Sequence, residues 1–197
     1  MRIKRPSWDE YFMCQAILIA TRHSCLKRGV GTVLVKDKSI IGTGYNGAAR
    51  GIVSCLELGY CNYEYLASEE IAKNAGDLKS IKEQFKIYCQ AVHAEANAMS
   101  QCSRERANGS TLYITNAPCP RCSQDIIITN GVKEVKIWKD YLSNPTLTMD
   151  EYRATKSKLL QAGVALIYVK LNKKRIMEIA NYMANQVGER TDYEYSK

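Results

Sequence analysis

Short β-branched segments alternate with helical stretches along most of this chain, and this alternation limits the possible folds more than any other feature of the sequence. Five segments have the length and composition of strands: residues 31–36, 39–44, 111–115, 132–138 and 164–169. Only Asp37 and Lys38 separate the first two, which predicts a hairpin. Helical patterns before the hairpin and between the later strands predict an α/β fold, a three-layer α/β/α sandwich around a five-stranded mixed sheet.

The region between the hairpin and the third strand is less regular. Its start is rich in glycine, which predicts a loop whose backbone closely approaches another group: Gly42, Gly44, Gly47 and Gly51. A polar helical pattern follows over residues 64–87. A segment of this size is too short for a core of its own, and 197 residues are the length of one ordinary domain. We therefore predict a single domain over residues 1–197, with a cysteine-bearing insertion at about 53–90.

The chain is basic, with a net charge of +8 from 28 Lys and Arg against 20 Asp and Glu. This charge favours an anionic partner, such as nucleotide phosphates, nucleic acid or an acidic membrane surface; the alternative is a surface that only keeps the protein soluble. No segment approaches the roughly 18 uninterrupted apolar residues of a membrane span. No apolar segment follows the basic residues at the start, so we expect no secretory signal and a cytoplasmic protein.

Two short motifs indicate a metal site. An H-A-E sequence at residues 93–95 opens one predicted helix, and a P-C-P-R-C sequence at residues 118–122 opens another. Cys119 and Cys122 are three residues apart, so both sulfurs can face one ion at a helix N-terminus, and His93 can add a third ligand. Three protein ligands leave the fourth position of zinc for water, which is the arrangement of catalytic rather than structural sites.

Glu95 lies two residues after His93 and can carry protons between the activated water and a substrate. A lone C-x-x-C is as often a redox or structural zinc motif, and a lone H-A-E carries no information. The two in this order form the signature of zinc-dependent nucleobase deaminases. In that chemistry hydroxide attacks C4 of cytosine, and Glu95 would protonate N3 and then the departing ammonia.

Over about residues 8–169 the chain resembles the viral and bacterial deoxycytidylate (dCMP) deaminases of the zinc-dependent cytidine/deoxycytidylate deaminase superfamily. The matching segments are residues 21–37, 42–51 (GTGYNGAARG), 93–99 (HAEANAM) and 112–122 (LYITNAPCPRC). Ala49 departs from the family, whose members commonly have proline there. The resemblance implies a cytidine-deaminase-like fold and the hydrolysis of dCMP to dUMP and ammonia for dTMP synthesis. The alternatives are a tRNA or other nucleoside or nucleotide deaminase of the superfamily, and a non-enzymatic zinc module.

The resemblance also assigns roles to single residues. It makes His93, Cys119 and Cys122 the zinc ligands, with Glu95 as the proton carrier. Asn46 matches the family's substrate-binding asparagine, whose amide can both donate and accept; the alternative is a turn residue with positive φ. Arg22 and Arg50 are candidates for phosphate contacts because guanidinium binds phosphate through paired hydrogen bonds, although either can be merely solvated.

Regulation is a further implication of the resemblance. It implies a homohexamer that dCTP with Mg²⁺ activates and dTTP inhibits, with the effector near Gly44, Tyr45, Asn46 and Gly47. A glycine-rich loop beside basic residues can bind a triphosphate through backbone N–H groups, although a turn also explains its glycines. We expect these nucleotides as partners and neither a membrane nor nucleic acid. For a viral protein the location would be the host cytoplasm.

Four further cysteines lie around the insertion: Cys25, Cys55, Cys61 and Cys89. Relatives often hold a structural zinc in this region, and Cys25 and Cys55 match two of its ligand positions. Cys61 and Cys89 are candidates by residue type and neighbourhood. A site with four thiolates has no open position, so it would stabilise an insertion that lacks its own core. The alternative is four free thiols.

Overall fold

The computed structural model describes residues 5–74, 77–139 and 147–186. Its strands are β1 (Gly31–Lys36), β2 (Ser39–Tyr45), β3 (Gly47–Ala48), β4 (Ala91–Val92), β5 (Thr111–Asn116), β6 (Glu134–Lys139) and β7 (Ala165–Tyr168). Five of them form one sheet in the order β2-β1-β5-β6-β7. β1 is antiparallel to both of its neighbours, whereas β5, β6 and β7 are parallel. The predicted five-stranded mixed sheet is therefore confirmed.

Helices surround this sheet. They are α1 (Trp8–Ala20), α2 (Cys55–Leu58), α3 (Asn62–Asn74), α4 (Leu78–Phe85), α5 (Ala94–Met99), α6 (Arg104–Ala107), α7 (Pro120–Cys122), α8 (Met149–Gln161) and α9 (Lys173–Gln186). A 3-10 turn (Lys86–Tyr88) follows α4, and a π-helical segment (Ser123–Ile128) continues α7. Within these described ranges, no helix has the length and apolar character needed to cross a membrane.

The two faces of the sheet carry separate clusters of buried side chains. Leu34 of β1 belongs to one cluster, together with Met99 of α5 and Leu159 of α8. Its neighbour Val33 belongs to the other, together with Phe12 of α1. Because successive side chains of a strand point to opposite faces, β1 contributes to both layers of the core. This arrangement is the predicted three-layer α/β/α sandwich.

The predicted hairpin joins β1 and β2. Asp37 and Lys38 form its two-residue turn with φ values of 50° and 60°. Positive φ at both turn residues is typical of the turns whose twist matches that of paired strands. The sequence pattern therefore located this turn correctly.

The helical region predicted at residues 64–87 is two helices and a 3-10 turn rather than one helix. α4 has its own N-cap, because a side-chain oxygen of Asp77 accepts a hydrogen bond of 2.8 Å from the backbone N–H of Ser80. Such a cap begins a new helix. The helical pattern alone did not reveal this interruption.

A small antiparallel ribbon closes the insertion. β3 pairs with β4, with Gly47 opposite Val92 and Ala48 opposite Ala91. The helices α2, α3 and α4 lie between these strands in the chain, so the ribbon brings the two ends of the insertion together. We did not predict the ribbon, because two-residue strands are too short to show an alternating pattern.

Two glycines of β2 allow α5 to approach the sheet very closely. A Cβ atom on Gly44 would lie 2.2 Å from the carbonyl oxygen of Ala94, and one on Gly42 would lie 2.4 Å from that of Ala98. These distances are too short for a side chain at either position. The predicted close backbone approach is confirmed, but these two glycines lie in a strand rather than in a loop. They set the distance between the sheet and the helix that follows His93.

Candidate active site

His93, Cys119 and Cys122 meet at the ends of two loops. The Nδ1 atom of His93 lies 3.2 Å from Sγ of Cys122 and 3.7 Å from Sγ of Cys119. Across residues 5–74, 77–139 and 147–186, no other group of three His, Cys, Asp or Glu side chains brings its ligand atoms within 4.8 Å of one another. One imidazole and two sulfurs are a donor set that suits zinc.

The start of a helix fixes two of these side chains. His93 is the N-cap of α5 and Cys119 is the N-cap of α7, and both have extended backbone conformations. The Sγ atom of Cys119 accepts a hydrogen bond of 3.4 Å from the backbone N–H of Cys122. Its carbonyl oxygen accepts one of 2.9 Å from the hydroxyl of Ser123. Because the N-terminus of a helix carries partial positive charge, it favours the thiolate form that binds metal.

The electrostatics of the three residues also favour a metal site. The hydrogen bond with Cys122 lowers the pKa of Cys119 strongly, a second one with His93 acts in the same direction, and burial opposes both. The hydrogen bond with Cys119 raises the pKa of His93. The hydrogen bond with Cys119 and burial raise the pKa of Cys122, so the three residues stabilise one sulfur anion, on Cys119.

Glu95 lies in the first turn of α5 and is only 3% exposed. Burial raises the pKa of its carboxyl, because a low-dielectric environment disfavours the charged form, and the nearby His93 only partly offsets this. A raised pKa makes this carboxyl hold a proton more readily than a solvent-exposed carboxyl does, which suits a proton carrier.

A cavity of about 480 Å³ opens beside these residues. Val30, Ile114 and Ala117 give it apolar walls. Its charged lining residues in the described part of the chain are Lys27, Arg28, Lys86, Glu95, Arg121 and Glu151. The metal-ligating residues His93 and Cys119 also face it. The cavity therefore combines apolar walls with an excess of positive charge.

Asn46 lines this cavity, but its amide also holds the protein together. Its Oδ1 accepts a hydrogen bond of 2.7 Å from the N–H of Val30, and its Nδ2 donates one of 3.0 Å to the carbonyl of Arg28. The alternative of a turn residue with positive φ is wrong, since only Asp37 and Lys38 among the described non-glycine residues have positive φ. One N–H and one lone pair of the amide remain for other partners. Its role in substrate binding stays a prediction.

Arg22 and Arg50 are both exposed and neither lines the cavity. Their predicted contact with phosphate stays untested, but the cavity has other basic residues that we did not single out: Lys27, Arg28, Lys86 and Arg121. Arg121 lies inside the P-C-P-R-C motif, and the first two lie just before β1 in a segment that carries the family resemblance. The positions of Lys27, Arg28 and Arg121 within these segments were the feature of the sequence that could have identified them as cavity residues.

The four cysteines around the insertion occupy one region without forming a preformed cluster. Cys25 and Cys89 line the cavity, whereas Cys55 is buried. The segments that contain Cys25 and Cys55 are joined by a hydrogen bond of 3.1 Å from the N–H of Leu56 to the carbonyl of Ser24. No three of their sulfurs lie within 4.8 Å of one another in this structure, in which all four cysteines are described. The predicted second zinc would require these side chains to move closer.

The predicted effector segment is part of the β structure. Gly44 packs against α5, and Gly47 pairs with Val92. The backbone N–H of Asn46 donates to the carbonyl of Val30 at 3.2 Å, so it is already used within the protein. Tyr45 has an exposed side chain. An effector at this segment would therefore meet Tyr45 rather than the backbone N–H of Asn46.

Comparisons with known proteins agree with this geometry. The family model described as the cytidine and deoxycytidylate deaminase zinc-binding region matches residues 6–139. A deoxycytidylate deaminase of Mycobacterium phage D29 is 38% identical over 135 residues, which cover 68% of this chain and 95% of the phage protein. A deoxycytidylate deaminase of Schizosaccharomyces pombe is 39% identical over 165 residues, or 82% of this chain. The match spans only 44% of that yeast protein's length.

A solved structure has a related fold. The dCMP deaminase of cyanophage S-TIM5, in complex with dCMP and dUMP, superposes with a TM-score of 0.57 at 28% sequence identity. The match covers 85% of this chain and all of the phage chain. Its agreement with the mixed sheet seen here supports the predicted cytidine-deaminase-like fold. From the matched family model and the 95% coverage of the mycobacteriophage relative, we conclude that the chain belongs to the cytidine and deoxycytidylate deaminase family.

Proposed function

We propose that this protein is a zinc-dependent hydrolase that converts dCMP and water to dUMP and ammonia in the cytoplasm, and so supplies dUMP for dTMP synthesis. The observation that carries this proposal is the buried carboxyl of Glu95 beside the His93, Cys119 and Cys122 cluster. The names of the relatives from phage D29 and S. pombe, both deoxycytidylate deaminases, support the choice of substrate.

Each residue of the site has its own role in the proposed reaction. Zinc held by His93, Cys119 and Cys122 would supply a water whose pKa is lowered to about 7. Glu95 takes a proton from that water and delivers one to N3 of the cytosine ring, while the oxygen adds to C4. Glu95 would then take the proton of the new C4 hydroxyl group and carry it to the amino group, so that C4 becomes a carbonyl carbon and the C4–N bond breaks to release ammonia. The raised pKa of the Glu95 carboxyl favours the protonated form needed for these two deliveries.

The charge of the cavity supports a phosphorylated substrate. Four basic side chains line the described part of the cavity: Lys27, Arg28, Lys86 and Arg121. Burial raises the pKa of Glu95, one of its two acidic residues, so this carboxyl keeps a negative charge less readily than an exposed one does. Glu151 accepts a hydrogen bond of 2.6 Å from the N–H of Thr148 at the start of α8. Such an excess of positive charge attracts an anionic ligand, so a nucleotide fits better than a nucleoside.

An assay of ammonia release tests the proposed function against its alternatives. The purified protein is offered dCMP, cytidine, dCTP and a tRNA anticodon stem in parallel. We expect release from dCMP. Release from one of the other substrates alone would favour another deaminase of the superfamily, and release from none by the zinc-loaded protein would favour a non-enzymatic zinc module.

We also propose that the protein is a homohexamer. The region from residue 52 to residue 88 exposes many large apolar side chains, which is typical of surfaces that bind another protein. They are Ile52, Val53, Leu56, Tyr60, Tyr65, Ile87 and Tyr88. A second copy of the chain is the partner that the family resemblance implies. Analytical ultracentrifugation should give a mass of six chains, and a stable monomer would contradict the proposal.

We also propose that nucleotides regulate the enzyme. We expect sigmoidal dCMP kinetics that become hyperbolic when dCTP and Mg²⁺ are added, with inhibition by dTTP. The physical reason is that an effector shifts an equilibrium only if it binds one state more tightly than the other. Hyperbolic kinetics that neither nucleotide changes would show that this chain, with Ala49 two residues after the effector segment, lacks the control.

A second zinc ion is predicted at Cys25, Cys55, Cys61 and Cys89. Elemental analysis of the purified protein should then give two zinc ions per chain. Cys25→Ser should remove one of them and lower the thermal stability, because bound metal contributes to the folding free energy. The matched control is Cys14→Ser, on α1 away from the insertion, which should keep both ions. A content of one zinc, with stability unchanged in Cys25→Ser, would leave the four cysteines as free thiols.

A further inference from the structure

The insertion forms one wall of the substrate cavity. Tyr63 at the start of α3, Lys86 after α4 and Cys89 all line the cavity. The segment before β1 contributes Lys27 and Arg28 to the same lining. The insertion therefore contributes to the cavity as well as to the fold.

Lys27 connects the two walls. Its Nζ donates a hydrogen bond of 2.8 Å to Oε1 of Glu64 and another to the hydroxyl of Tyr63. Nζ also lies 4.3 Å from the centroid of the Tyr63 ring, a distance at which a cation is attracted to the ring face. These contacts hold one end of a flexible side chain in a single position. An ammonium group has three N–H donors, so one donor remains for a ligand.

The charge around Lys27 is positive. The same Oε1 atom of Glu64 lies 3.6 Å from Nζ of Lys82. Two lysines thus share one carboxylate, and the group of three carries a net charge of +1. Glu64 therefore fixes Lys27 without cancelling the attraction of this wall for an anion.

The position of Lys27 differs from that of Arg28. The backbone carbonyl of Arg28 accepts a hydrogen bond of 3.0 Å from the amide of Asn46, whereas Nζ of Lys27 lies beside Tyr63 and Glu64 of the insertion. A nucleotide whose base lies at Glu95 has its 5′-phosphate at the far end of the sugar. The phosphate would therefore lie on the side of Lys27.

The other two cations of the described cavity are less well fixed. The side chain of Lys86 is 54% exposed and pairs with Glu83, and that of Arg121 is 90% exposed and pairs with Asp125. The Lys27 side chain is only 30% exposed. A cation that is already immobilised loses less conformational entropy when it binds a ligand. It is also less screened by salt.

We infer that Lys27 binds the 5′-phosphate of the substrate, and that Tyr63 and Glu64 of the insertion are positioning residues that hold its ammonium group in place. The inference rests on the proposed function and extends it by assigning the preference for a nucleotide over a nucleoside to one side chain. In this arrangement the insertion determines substrate specificity from outside the metal cluster.

The test compares dCMP with deoxycytidine, which differs only by the absence of the phosphate. Lys27→Met removes the charge and keeps a side chain of similar length. We expect KM for dCMP to rise about 10- to 100-fold, as for the loss of one hydrogen bond to a charged group. The kcat for dCMP and the kcat/KM for deoxycytidine should change little, because the lost contact is the same in the ground and transition states. The matched control, Lys82→Met, removes a lysine from the same ion-pair group but not from the cavity, and should keep the dCMP preference.

Thermal unfolding and zinc content identify a variant that has lost its fold. If Lys27→Met fails in this way, Lys27→Gln replaces it, since an amide can still donate to Glu64 and Tyr63 without the charge. An unchanged preference for dCMP in a folded Lys27 variant would overturn the inference and leave the proposed function intact. A wild-type protein that does not deaminate dCMP would instead overturn the proposed function. The two failures are therefore distinguishable.

Discussion

Replacing Glu95 by Gln should lower the turnover of dCMP by about 10²- to 10⁴-fold, the usual contribution of general acid–base catalysis, while zinc stays bound. Glutamine has the same size and can still form hydrogen bonds, but it cannot carry a proton. Glu95 is buried, and burial raises the pKa of its carboxyl, as suits a group that carries protons. The measurements are kcat for dCMP and zinc content per chain.

Glu151 provides a matched control for this experiment. It also lines the cavity, but its carboxylate accepts a hydrogen bond from the backbone N–H of Thr148 at the start of α8. Glu151→Gln should therefore affect the stability of α8 more than turnover. If Glu95→Gln instead loses its zinc, Glu95 is a metal ligand and the roles assigned here are wrong. Unchanged turnover in that variant would equally contradict its role as the proton carrier.

Replacing Cys119 by Ala should abolish both zinc binding at the site and deamination. The change leaves only His93 and Cys122 as protein ligands, and two ligands hold zinc far more weakly than three. It also removes the side-chain acceptor of the Cys122 N–H at the start of α7, and the loss of an N-cap costs about 1 kcal/mol of stability. We expect the loss of one zinc ion per chain by elemental analysis and no ammonia release above background.

The control for this variant is Cys102→Ala. Cys102 packs against the buried cluster that includes Met99, and no metal-ligating group contains it among the described residues. It should keep its zinc and its activity, with a modest loss of stability. Full zinc content in Cys119→Ala would exclude this cysteine from the ligand set. Together the two variants separate the loss of a ligand from the loss of a buried thiol.

The main strands and most of the candidate metal cluster were predictable because each depends on residues close together in the chain. The β-branched runs, with Asp37 and Lys38 between the first two, located the hairpin of β1 and β2. The spacing of Cys119 and Cys122 places both sulfurs at the start of one helix whatever surrounds it. Only their meeting with His93, 26 residues before Cys119, needed the fold to confirm it.

Other features could not be read from local pattern. The β3–β4 ribbon contains two residues in each strand, and the N-cap at Asp77 lies within a continuous helical pattern. Asn46 was expected to face the substrate, but its amide also binds Val30 and the carbonyl of Arg28. These hydrogen bonds depend on which segment of the chain packs against Asn46, and the residues near Asn46 in the sequence do not predict that segment.

The sequence by itself determined the positions of the main strands and the residues proposed as metal ligands and proton carrier, since these follow from local periodicity and from motifs of three to five residues. Only the tertiary structure decided which basic residues line the cavity and how the insertion contributes to it. Lys27 meets Glu64 across 37 residues of chain. Such a contact requires the β3–β4 ribbon to close and α3 to lie against the segment before β1. The physical reason is that the contact depends on packing between elements far apart in the chain, and not on the residues next to Lys27.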